Sequence, residues 1–120
     1  MCLGSIFPSP VAALGAKSGN VTHVVIFWLK RPGNVGDRAL LARASEKFRK
    51  MPGILRVEVG NALPVRRAGI EQPFDLCVVF TFANQAALEG FDKDPQHAAA
   101  VRTVLKPLVK RFIVFNSVAD

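Results

Sequence analysis

Two histidines, His23 and His97, are the side chains best suited to proton transfer near neutral pH in this chain. His23 stands early in the apolar run VTHVVIFWLK, on the same side as Val25, Phe27 and Leu29 if that run is extended. His97 falls in DPQH, within the first turn of a helix restarted at Asp94-Pro95, where the helix dipole disfavours the imidazolium form. A neutral imidazole serves as a general base or a hydrogen-bond donor. Two of them at one apolar cavity would suit enolisation or aldol-type chemistry on a carbonyl compound, with His97 as base and His23 as partner. The plainer alternative stays open at both positions, because a histidine at a strand edge or helix start is often a packing or capping group.

Other chemistries lack their residues. There is no glycine-rich loop leading into Lys-Ser or Lys-Thr, no GxGxxG, no HExxH and no CxxC. Two histidines with scattered acids fall short of a metal site, and no serine sits in a nucleophile elbow. No metal and no organic cofactor is therefore expected. The two cysteines, Cys2 and Cys77, cannot form a disulfide framework, and Cys77 reads as a buried free thiol in an apolar run.

The elements that would hold the histidines follow from periodicity. VTHVVIFWLK reads as a first strand, closed by Arg31-Pro32-Gly33. A helix is expected from Gly36-Asp37 to about Lys50, with Leu40, Ala44, Phe48 and Met51 as its apolar stripe and Pro52-Gly53 as its stop. ILRVEVG alternates, with Leu55, Val57 and Val59 on one side. After a polar, Arg-rich loop from Ala62 to Pro73, FDLCVVFTF is a third strand with Phe74, Leu76, Val78, Phe80 and Phe82 on one face. Asn84 caps a helix to about Lys93, and Asp94 caps a second from Gln96 to about Leu105, ending before Pro107. RFIVFNSV is the last strand. The order β-α-β-β-α-α-β specifies an α+β, ferredoxin-like split βαβ arrangement, with helices on one face of the sheet.

The other face is also apolar. Val24, Ile26, Trp28, Cys77, Val79, Ile113 and Phe115 would lie there, and a monomer would leave them wet. Burial of such a patch sheet-on-sheet implies a homodimer.

The chain of 120 residues is one domain's length, and half of it is hydrophobic. Residues 1–20 form a separate Ser-, Pro-, Ala- and Gly-containing block, a loose N-terminal arm or a signal remnant, before a domain over 21–120. A cytoplasmic protein is expected, or an exported one if that block is a signal. No stretch approaches the roughly 20 apolar residues that span a bilayer. Of the net charge of +7, the excess sits in residues 30–67, with ten Lys or Arg against three acids. Such a segment could attract nucleic acid, an anionic ligand or a membrane surface. No zinc-finger or helix-turn-helix spacing and no aromatic-interleaved basic surface accompanies it, so specific nucleic-acid binding is not expected.

These segments together resemble the stress-responsive dimeric α/β-barrel (Dabb) family. The resemblance rests on VTHVVIFWLK, MPGILRVEVG, FDLCVVFTFANQAALEGFDKDPQHAAAV and LKPLVKRFIVFN, about residues 21–118. It implies a homodimer whose two sheets close into a barrel, with no required cofactor. It also implies a pocket between helices and sheet, lined by Val25, Phe27, Val78, Phe80, Phe91, Val101 and Phe112, for a small apolar or aromatic molecule. The family ranges from stress-induced proteins of undefined biochemistry to a few enzymes. In a polyketide-cyclising member, histidines that match His23 and His97 serve the reaction, and a tyrosine stands where this chain has Phe91. A cofactor-independent cyclase, isomerase or lyase is one implied activity, and a cofactor-free monooxygenase on a related barrel is another.

Overall fold

The computed structural model describes residues 18–64, 68–69 and 73–120. The arm or signal remnant expected over 1–20 therefore lies outside the described residues as far as position 17, and Cys2 with it. Residues 65–67 and 70–72 of the Arg-rich loop lie outside them too.

Strand β1 (Val21–Leu29) leads into helix α1 (Val35–Glu46), which tightens into a 3-10 turn, Lys47–Lys50. Strands β2 (Ile54–Gly60) and β3 (Leu76–Phe82) follow, then α2 (Gln85–Lys93) and α3 (Pro95–Ala100). A π-helical turn (Val101–Leu105) and a last α-turn, α4 (Lys106–Leu108), lead into β4 (Val109–Val118). The strands lie in the order β2-β3-β1-β4, each pair antiparallel, which is the ferredoxin-like sheet the sequence specifies. No helix among the described residues is long and apolar enough to cross a membrane.

Alternation on the strands sorts side chains onto two faces. On the helix-covered face, Val21, Val25, Phe27 and Leu29 of β1 and Leu76, Val78, Phe80 and Phe82 of β3 are buried, with Leu41, Phe48, Leu88 and Phe91 packed over them. On the other face, Val24 pairs with Val79 and Phe115, and Ile26 with Cys77 and Ile113. Trp28 is on that face as well, its indole N–H donating to the Pro73 carbonyl at 3.1 Å and its ring stacked 4.2 Å from the Arg111 guanidinium. No described helix covers these residues. Burial pushes the Cys77 thiol above its ordinary pKa, so it stays protonated.

Five local expectations are corrected. The helix starts earlier than Gly36-Asp37, because the Asn34 side chain caps it by accepting from the Asp37 N–H at 2.9 Å. Its buried stripe is Asp37, Leu41, Ser45 and Phe48, while Leu40 is 47% exposed. Leu55 is 57% exposed, since Ile54 opposes Phe82 and Arg56 opposes Thr81, leaving Leu55 as the extra residue of a bulge. The third strand starts at Leu76 rather than Phe74, because the Asp75 carboxylate accepts from the N–H groups of Leu29 and Gly33, each at 2.8 Å, and holds the end of β1 to the next loop. Finally, the last helical segment does not stop before Pro107. The Lys106 N–H bonds to the Val101 carbonyl, a five-residue step that widens the turn ahead of a proline with no N–H to give.

Candidate functional site

His23 points to the helix-covered side of β1 and is buried. Three phenylalanine rings surround it, with centroids at 5.7 Å (Phe80), 5.9 Å (Phe82) and 6.2 Å (Phe91). Register places Asn116 of β4 directly opposite, and His23 Nδ1 lies 2.6 Å from the Asn116 side-chain oxygen. With that oxygen as acceptor, Nδ1–H donates and Nε2 keeps its lone pair. Burial holds the ring below the ordinary histidine pKa, against the Asn116 bond and the Asp92 carboxylate, which favour the charged form; His97 disfavours it. His23 is thus a neutral imidazole with one nitrogen committed and one able to accept a proton.

His97 sits in the first turn of α3, where the Asp94 side chain accepts from the Gln96 N–H at 2.7 Å and Pro95 supplies the fixed φ of the first helical residue. Its ring lies 4.4 Å from Phe91 and 5.9 Å from Phe48, centroid to centroid. Phe91 therefore contacts both imidazoles.

Both histidines line one cavity of about 870 Å3 between the helices and the sheet. That is the size of a small-molecule site. Val25, Phe27, Phe80, Phe91, Val101 and Phe112 are on its wall. Val78, grouped with them in the sequence reading, is not on the wall: it lies on the central strand β3 with no exposed surface, between Val25 and Val59. Phe112 is 56% exposed, because β4 is the sheet edge and leaves the cavity open on that side.

Several wall residues had no signal strong enough to be singled out. Ser45 comes from α1 and Asp92 from α2. Asn116, the partner of His23, is the single amide within FIVFNSV, and only pairing of β4 with β1 reveals its use. Lys30, Lys106 and Lys110 also line the cavity. Among the described residues no cluster of His, Cys, Asp or Glu could hold a metal ion.

A sequence profile of the stress responsive A/B barrel domain matches residues 21–119. No curated protein sequence matches the chain. Among solved structures, the chain is similar to a Dabb family protein with a ferredoxin-like fold from Mesorhizobium loti, at 24% identity over 85% of this chain and 98% of that one, with a TM-score of 0.68. A dimeric ferredoxin-like protein of unknown function from Thermobifida fusca aligns at 17% identity over 88% of this chain and 95% of that one, with a TM-score of 0.69. The hydroxynitrile lyase from Passiflora edulis aligns at 17% identity over 87% and 96%, with a TM-score of 0.72. At these identities the structural likenesses bear on the fold.

Proposed function

From a chain that belongs to the stress responsive A/B barrel family, we propose a homodimer whose protomers each bind a small apolar or aromatic molecule between helices and sheet. The observation that carries the binding role is the cavity of about 870 Å3, walled by Val25, Phe27, Phe48, Phe80, Phe91 and Val101 and left open at the β4 edge. A concave, mostly apolar cleft of this size, with a few polar groups on its wall, is the usual form of a small-molecule site. The dimer is supported by the uncovered apolar sheet face and by the dimeric state of the Thermobifida fusca protein.

The test is a screen of aromatic and aliphatic compounds by native mass spectrometry, followed by calorimetry on the hits. Saturable binding at one site per protomer, lost in Val101→Trp, supports the reading. Folded protein that binds none of them overturns it.

A second reading is favoured by one observation: two imidazoles share the wall, and Asn116 fixes the tautomer of one of them. In this reading the protein is a cofactor-independent cyclase, isomerase or lyase acting on a carbonyl compound, with His97 as general base and His23 as its partner. The Passiflora edulis neighbour is named as a lyase on this same fold. His97→Gln should then abolish turnover of a substrate found by screening while ligand binding persists. Full turnover in that variant removes the catalytic reading and leaves the binding one.

A further inference from the structure

Charge on the cavity wall is separated by sign. Asp92, the only acid among the described residues of the wall, belongs to the end that holds His23, Phe91 and His97. The other end carries Lys30, Lys106 and Lys110. The Lys30 N–H donates to the Leu108 carbonyl at 2.8 Å and its Nζ to the Lys106 carbonyl at 2.7 Å, which stitches the exit of β1 to the end of the helical layer. That stitch draws the lysines of two distant segments to one mouth. None of the three has an ion-pair partner among the described residues. Arg111 is not counted with them, because its guanidinium is stacked on Trp28 across the sheet.

Between the two ends the wall is apolar: Val25, Phe27, Phe48, Phe80, Val101 and Leu105. Extended chain rises about 3.3 Å per residue, so the distance from His23 to Lys30 along β1 is on the order of 20 Å. A cavity of that length, apolar along its middle and cationic at one mouth, matches a molecule of the same polarity.

We propose that the site takes an elongated apolar compound ending in an anionic group, a carboxylate or a phosphate, seated among Lys30, Lys106 and Lys110 with its body reaching toward His23 and His97. This rests on the cavity binding an apolar ligand, as proposed above. The lysines select for charge at the tail, and the far end of the ligand is delivered to the imidazoles.

The probes are decanoate, decyl phosphate and 1-decanol, titrated calorimetrically into the full chain at low ionic strength. Expected is an anion that binds about fivefold to tenfold more tightly than the alcohol, a gap suited to partly exposed charges. The gap should close in Lys106→Gln/Lys110→Gln and shrink in 0.5 M salt, the salt arm reading the same contact without a variant. An advantage for decanoate alone identifies a carboxylate as the source, and one for decyl phosphate alone a phosphate. Equal affinity of the alcohol and both anions overturns the charged tail and leaves the cavity reading standing. A gap insensitive to both salt and the double substitution also overturns it. No binding of any of the three probes overturns the elongated anionic ligand, while the broader screen of aromatic and aliphatic compounds decides the cavity reading on its own.

Discussion

His23 and Asn116 face each other across the β1–β4 pair, their side chains 2.6 Å apart in an otherwise aromatic setting. The bond orders the imidazole and partly offsets the effect of burial on its charge. Asn116→Asp should therefore raise the His23 pKa, since a carboxylate at that distance favours imidazolium. Asn116→Ala should lower it further than in the native chain, since a bond that favours the charged form is lost. Titration of the imidazole proton resonances by NMR reads both. A pKa unmoved by either change would mean that the contact does not form in solution.

The pH dependence of stability follows from the same residue. The folded pKa of His23 lies below its unfolded value of 6.5, so the unfolded chain takes up the proton first as pH falls. Its contribution to stability is fully present above about that ordinary value and is lost as pH drops from there through the folded pKa. Urea midpoints should be level between pH 8 and 7 and should fall toward pH 5. His23→Gln should flatten that fall. The Asp37 carboxylate, held below its ordinary value by its bond to Arg31, acts only in stronger acid and does not confuse the window.

Gly53 ends the turn before β2 with φ at 84°, and a Cβ there would lie 2.6 Å from the Cβ of Ala87. Gly53→Ala should thus be destabilising, with backbone strain alone costing about 1–3 kcal/mol. Combination with Ala87→Gly should recover the part due to the clash and not the part due to φ, so that chemical denaturation of the two single variants and the double separates them. A Gly53→Ala chain as stable as the native one would contradict this geometry.

Val79 is at the centre of the uncovered sheet face, paired with Val24. If two copies meet there, Val79→Asp should convert dimer to monomer or aggregate, because an unpaired carboxylate buried in an apolar interface is strongly unfavourable. Light scattering coupled to gel filtration measures it. A native chain that runs as a monomer would refute the sheet-to-sheet assembly.

The strands β1 and β3 were legible because they alternate without interruption, and the restart at Asp94-Pro95 was legible because both residues have cap-specific roles. The α1 stripe was misread because Asn34 starts the helix early and the 3-10 turn changes the spacing at its end. Leu55 could not be placed from β2 by itself, since a bulge is a property of two strands. The same logic governs the site. His23 and His97 carry their own signals and Phe91 follows from the family resemblance, whereas Asn116 is separated from His23 by 93 positions and acquires its role only through pairing of β1 and β4. Of the lysine end only Lys30 belongs to the charge excess over residues 30–67, and nothing in that segment hints that it joins Lys106 and Lys110.

The π-helical turn at Val101–Leu105 also makes the angle between His97 and Lys106 depend on one extra residue in the chain. Each residue of an α-helix turns by about 100°, so deletion of one residue within that turn would restore regular phase and swing everything beyond it around the axis. His97, upstream, would keep its place, while Lys106 would rotate away from the mouth. A single codon lost or gained there would be felt first at the lysine end and then, through β4 and Asn116, at His23.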